Sequence, residues 1–263
     1  MTRTFKMTIA YDGTDFVGWQ IQPNGPSIQA AIQKAIGKFT GESVNVVGSG
    51  RTDAGVHAIA QVAGVEIESW TQPAKELRRA INRFLPDSIV VRDVVDAPPG
   101  FHAIRDCISK RYRYQMLLGR VRDPFSHHYC WHLGYKMDLE AMKLAAEKLV
   151  GKQDFACFEA TGAARSSTVR DVRACDLILR ESPPDSPTSD SIRLDIEIEA
   201  DGFLYNMVRN IVGSLVDVAR GREPVQWIDE LIRAGDRNLA GQTAPAHGLF
   251  LLRADYEEMV VES

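Results

Sequence analysis

The chain has 263 residues, 44% of them hydrophobic and 25% charged, with a net charge of −4. That composition excludes a disordered or fibrous protein and suffices for one large or two smaller domains. No apolar run reaches membrane-spanning length, Met1-Thr2-Arg3-Thr4 lacks the look of a signal peptide, and Cys107, Cys130, Cys157 and Cys175 form no C-x-x-C pair, so reduced thiols and a cytoplasmic location are expected.

Phe5 to Tyr11 alternates apolar and polar residues and stops at the turn signal Asp12-Gly13. After a loop to Pro26, Ser27 can cap a helix with Ile28, Ala31, Ile32, Ala35, Ile36 and Phe39 in one stripe, ended by Gly41. Strands are expected over Val44 to Ser49, Ala58 to Ile67 and Ser88 to Val95. Between the last two, Pro73 to Leu85 reads as a helix with Leu77, Ala80, Ile81 and Phe84 inward.

Lys110 to Leu118 reads as a strand, with Tyr112, Tyr114 and Met116 on one face and Arg111, Arg113 and Gln115 on the other. Asp138 caps a helix through Leu149. Val169 to Arg180 and Ser191 to Ala200 form a hairpin whose low-complexity loop, residues 181–190, is expected to be mobile. Leu204 to Ala219 is a helix, Pro224 can start another, and Gly248 to Ala254 is a last strand.

Both halves thus read β-α-β-β-α-β, an α+β, split βαβ arrangement. The expected division is 1–106, carrying an Asp loop, and 107–263, carrying a Tyr strand and an Arg helix. Two such sheets can join edge to edge into a mixed, mainly antiparallel sheet with flanking helices, burying two edges and leaving a central cleft.

Gly48-Ser49-Gly50-Arg51-Thr52-Asp53-Ala54-Gly55-Val56-His57 holds a carboxylate and a guanidinium among three glycines. It fails the dinucleotide pattern, because Asp53 stands at the third glycine and would repel a pyrophosphate. No Gly-Lys-Ser/Thr follows, so it is no P-loop. Two readings stay open from the residues alone: a turn in which Asp53 bonds its own backbone, and a carboxylate held at the mouth of a cleft.

Charge is unevenly spread. Residues 101–125 hold Arg105, Lys110, Arg111, Arg113, Arg120 and Arg122 against Asp106 and Asp123, a balance of +4, whereas 223–263 balance at −5. Nucleic-acid affinity follows such local charge, so an RNA partner is compatible with the net negative total. The histidines His127, His128 and His132 lack a partner at a familiar ligand spacing, and no metal is expected there.

The chain resembles the tRNA pseudouridine synthase A family. The matching stretches are Tyr11-Asp12-Gly13-Thr14, Phe16, Gly18-Trp19-Gln20, Gly50 to His57, Phe101-His102-Ala103, Lys110-Arg111-Tyr112-Arg113-Tyr114, Met207-Val208-Arg209-Asn210-Ile211-Val212-Gly213, Thr243-Ala244-Pro245-Ala246 and Gly248-Leu249. They run in order along nearly the whole chain. Ile104 stands where the family usually has Arg, and Ala219-Arg220 where a glycine is common.

The resemblance implies the pseudouridine synthase fold and isomerisation of uridine to pseudouridine in the anticodon arm of tRNA, at positions 38, 39 and 40. No cofactor or metal is implied, and a homodimer is. It makes Asp53 the catalytic nucleophile, attacking sugar or base, with deprotonation at the sugar as the other route open in the family. Tyr112 can stack on uracil after the base is flipped from its helix, with Arg209 as the cation beside Asp53. Arg51 would hold phosphate or the space left by the base, and Lys110, Arg111 and Arg113 would contact the tRNA backbone. A non-catalytic RNA-binding protein is the alternative, but it gives the Arg-Thr-Asp turn no purpose. A nucleotide-dependent oxidoreductase is disfavoured by the broken glycine pattern.

Overall fold

The computed structural model describes residues 2–160, 162, 167–180 and 191–258. The low-complexity loop read as mobile, 181–190, lies outside them. The chain divides into two compact units, Met1–Lys110 with Phe250–Ser263, and Arg111–Leu249.

The first unit follows the β-α-β-β-α-β order: β1 (Arg3–Tyr11), α1 (Ile28–Thr40), β2 (Val47–Gly48), β3 (His57–Ile67), α2 (Ala74–Asn82) and β4 (Ile89–Ala97). Its strands order β4-β1-β3, with β1 antiparallel to both neighbours and β2 on β3. The alternation in β1 buries Phe5, Met7, Ile9 and Tyr11. Ser27 caps α1 by accepting the Ala30 N–H at 3.3 Å, and Ile28, Ile32, Ala35 and Ile36 are buried.

Three expectations are corrected here. The strand expected over Val44 to Ser49 shrinks to Val47–Gly48, while Gln29 and Gln33 side chains bond the Val46 and Val44 carbonyls at 2.8 and 2.6 Å. Helix α2 stops at Asn82, because Pro86 disfavours helical geometry at Leu85. Phe84, expected inward, is exposed and stacks on Phe39 at 6.2 Å.

The second unit contains β5 (Cys107–Leu118, from Arg111 onward), β6 (Trp131–Leu133), α3 (Leu139–Glu147), β7 (Gly151–Asp154), β8 (Val169–Arg180), β9 (Ile192–Ala200), α4 (Met207–Ala219) and α5 (Trp227–Ala234). Its strands order β5-β9-β8-β7, with β6 parallel to β5. The hairpin β8–β9 follows the expected bounds to within a residue. Strands β6 and β7 are additions of three and four residues, too short to show a period. Tyr112, Tyr114 and Met116 are buried while Arg111, Arg113 and Gln115 face partly outward, as alternation requires. The last strand, β10 (Leu249–Tyr256), read from sequence as closing the second half, belongs from Phe250 onward to the first unit, where it runs parallel to β3. The sheet strands are mixed and mainly antiparallel, an α+β architecture with five α-helices among the described residues.

Candidate active site

Asp53 sits half-buried in the loop between β2 and β3, where residues 49–56 form no regular element. A second loop, residues 12–20, braces it. On the leading side, Thr52 is buried; its Oγ1 lies 2.8 Å from the Tyr11 hydroxyl, and its carbonyl accepts the Trp19 N–H at 3.0 Å. Burial drives the Tyr11 phenol pKa well above its usual range, against the pull of the Thr52 and Gln61 hydrogen bonds, so the hydroxyl stays neutral. Trp19 packs over Gly48, and Ser49 Oγ donates to Gln61 Oε1 at 2.6 Å.

On the trailing side, the Val56 N–H bonds the Asp53 carbonyl at 3.1 Å, and the Gly55 N–H reaches the Phe16 carbonyl at 3.4 Å. Two glycines permit this contact. A Cβ on Gly18, whose φ is +110°, would overlap the Thr52 carbonyl oxygen and lie 3.1 Å from the Asp53 carbonyl carbon. One on Gly13 would overlap the Val56 carbonyl oxygen. The motif residues before and after the first helix thus form one rigid seat for the Asp53 backbone.

Arg51 is exposed on this loop. Lys110 is nearly buried, at 8% exposure, with its stem lying over Gly50. Among the described residues no carboxylate pairs with it. The first unit therefore gathers Asp53, Arg51 and Lys110 around one loop.

The second unit carries the other expected residues. Tyr112 is buried, edge to face with Phe203 at 5.0 Å. Arg209 lies in the first turn of α4; its Nε donates to the Ala244 carbonyl at 2.7 Å and its Nη1 to Asn206 Oδ1 at 2.9 Å. Asn206 has φ +59°, the one positive φ outside glycine among the described residues, and Asn tolerates that region better than most residues. The Ala244 N–H returns to the Arg209 carbonyl at 3.1 Å, so the Thr243-Ala244-Pro245 segment is laced to α4. Sequence reasoning singled out Arg209 but missed Asn206, whose signal is an Asn one residue before the helix.

Arg111 and Arg113 have a different setting from the one expected. Arg111 Nε lies 2.7 Å from Glu197 Oε2, and its Nη2 lies 2.7 Å from Asp176. Arg113 Nη2 lies 2.7 Å from Glu197 Oε1, with Asp195 at 3.3 Å. Burial opposes the charge on Glu197, but the Arg113 and Arg111 hydrogen bonds outweigh it and hold its carboxyl below the usual range. These guanidiniums stitch β5 to β9 and are neutralised there. The +4 balance counted along residues 101–125 therefore overstates the free basic charge, because the acids that offset it come from other strands.

The family model for tRNA pseudouridine synthase matches residues 7–104 and 145–257. The chain belongs to the tRNA pseudouridine synthase family. It is 42% identical over 254 residues to "tRNA pseudouridine synthase A" of Thermoanaerobacter sp. (strain X514), covering 97% of this chain and 100% of that one. The protein of the same name from Syntrophotalea carbinolica is 41% identical, covering 95% of each. "tRNA pseudouridine synthase A 1" of Protochlamydia amoebophila is 42% identical, covering 96% of each. The matched residues include the Asp53 loop, its brace and the Arg209 helix, so the family assignment and the geometry fall on the same residues. Among the described residues no helix is long and apolar enough to cross a membrane.

Proposed function

We propose that this tRNA pseudouridine synthase acts on uridines 38, 39 and 40 of the tRNA anticodon arm, with Asp53 as nucleophile. The observation that carries this reading is the two-loop seat. It fixes the backbone of the carboxylate-bearing residue in an irregular loop by hydrogen bonds and glycine close approaches on both sides, the kind of support covalent catalysis needs. A simple turn needs no such brace. The alternative of a non-catalytic RNA binder leaves it without purpose.

The target base leaves its stack before its glycosidic bond is reached. Tyr112 supplies the stacking platform and Arg209, held by Ala244 and Asn206, a substrate-facing cation. Attack by Asp53 divides the exchange into easier steps, in which the bond from uracil N1 to ribose breaks and one from C5 forms, the C5 proton leaving and N1 gaining one, with no net redox change. The reaction draws on side chains alone and calls for no cofactor or metal. Arg51, exposed on the loop, meets the RNA backbone, whereas Arg111 and Arg113 are held by carboxylates. The protein works in the cytoplasm as a homodimer. Unmodified total tRNA incubated with the protein, then mapped for pseudouridine at nucleotide resolution, is expected to show conversion confined to positions 38–40. Conversion elsewhere in tRNA would overturn the site assignment.

A further inference from the structure

We propose that His57 is a positioning residue for Asp53, clasping the Asp12-Gly13 turn to the trailing end of the catalytic loop. This rests on the reading of Asp53 as nucleophile. His57 opens β3 and is 1% exposed, with its ring stacked on Phe250 at 4.7 Å. A buried histidine that served only to fill space would turn apolar edges to its neighbours. Here Nδ1 lies 3.1 Å from the Gly13 nitrogen and 3.1 Å from Asp12 Oδ1. Unprotonated, Nδ1 accepts the Gly13 N–H; protonated, it donates to Asp12. Either way the same ring atom ties the same turn. Asp12 Oδ1 in turn accepts the Thr14 N–H at 3.0 Å and hydroxyl at 2.6 Å, which fixes the turn's shape.

The clasp matters because of what lies between its ends. Asp53 is four residues before His57, and the Val56 carbonyl sits against Gly13. Thr52 is held from the other side by Tyr11 and Trp19. Without the His57 contact the loop keeps its leading anchor, and its trailing end loses a polar tie and leans on the longer 3.4 Å bond from the Gly55 N–H to the Phe16 carbonyl. The Asp53 carboxylate would then swing about Thr52, and a shift of about 1 Å in a reacting group costs roughly 100-fold in rate.

The test compares His57→Asn with His57→Leu. Asn carries an acceptor and a donor near the position of Nδ1, whereas Leu fills the space and supplies neither. Single-turnover pseudouridine formation, tRNA Kd and Tm are measured for each. His57→Leu is expected to lose roughly 100-fold in rate with Kd nearly unchanged, and His57→Asn to recover most of that loss despite its smaller volume. Equal rates in the two variants, or losses that follow Tm alone, would overturn the proposal in favour of simple packing. Should His57→Leu not fold, His57→Phe keeps a ring against Phe250 and removes Nδ1, and with it the clasp. A lowered rate at unchanged Tm supports the proposal, and a wild-type rate overturns it. Asp53→Asn run alongside separates the two readings: turnover there defeats the nucleophile assignment, whereas an inactive Asp53→Asn beside a fully active His57→Leu defeats only the clasp.

Discussion

Gly18→Ala should slow catalysis far more than it weakens tRNA binding. The added methyl meets two penalties. At φ +110° an L-residue is strained, at a cost of about 1–3 kcal/mol. The methyl carbon would also lie 3.1 Å from the Asp53 carbonyl carbon, where contacts of about 3.5–4.0 Å are normal, and would overlap the Thr52 carbonyl oxygen. Neither neighbour is a side chain that can turn aside. The two loops must separate by about 1 Å, stretching the 3.0 Å bond from Trp19 N–H to Thr52, worth about 1 kcal/mol. The summed loss of about 2–4 kcal/mol lowers Tm by roughly 4–16 °C for a chain of this size. Displacement of the loop lowers the single-turnover rate by roughly 100-fold, while phosphate contacts elsewhere keep tRNA Kd within a few-fold. Calorimetry with single-turnover kinetics measures both. A stable, fully active Gly18→Ala would refute the claim that this brace fixes Asp53.

Other outcomes follow from the same structure. Tyr11→Phe leaves the buried Thr52 hydroxyl without its 2.8 Å partner and should cost about 1–2 kcal/mol in denaturant unfolding, with a smaller fall in rate than Gly18→Ala. Glu197→Gln should destabilise by about 2–3 kcal/mol at pH 7, less than the roughly 3–5 kcal/mol of a fully buried pair because Arg113 retains 28% exposure. Since the folded carboxyl titrates below its ordinary 4.5, this contribution is complete above about pH 4.5 and lost as pH falls through the lower folded value. Wild type and variant should therefore converge in acid, and a pH-independent difference in urea titrations would contradict the pairing. Asn206→Ala removes both a residue tolerant of φ +59° and the Arg209 Nη1 acceptor, and should lower turnover with a Tm loss of a few degrees. Unchanged kinetics would separate Asn206 from Arg209.

Much of this was legible in the sequence wherever a local signal had no competitor. Ser27 and Gly41 bound α1 because capping is decided by the cap residues themselves. β8 keeps its expected bounds of Val169–Arg180. Long-range facts were not legible. The Asp53 loop stood out in the sequence as a candidate, but nothing local tells that Gly13, Gly18 and Trp19 pack against it. Arg111 and Arg113 read as a free basic stripe because Asp176, Asp195 and Glu197 lie 60 or more residues further along the chain. β10 resembled the end of the second half, since sequence order does not reveal that its partner is β3. Phe84 matched a helical stripe, but the helix had already ended.

The most direct test of the account is single-turnover pseudouridine formation by Asp53→Asn on unmodified tRNA, with deamidation excluded by mass spectrometry. Asn is nearly isosteric and leaves the seat built by Tyr11, Gly13, Gly18 and Trp19 in place, so Tm and tRNA Kd should match wild type. The account predicts no pseudouridine above background at positions 38, 39 and 40. Measurable turnover by the verified Asn variant would contradict it.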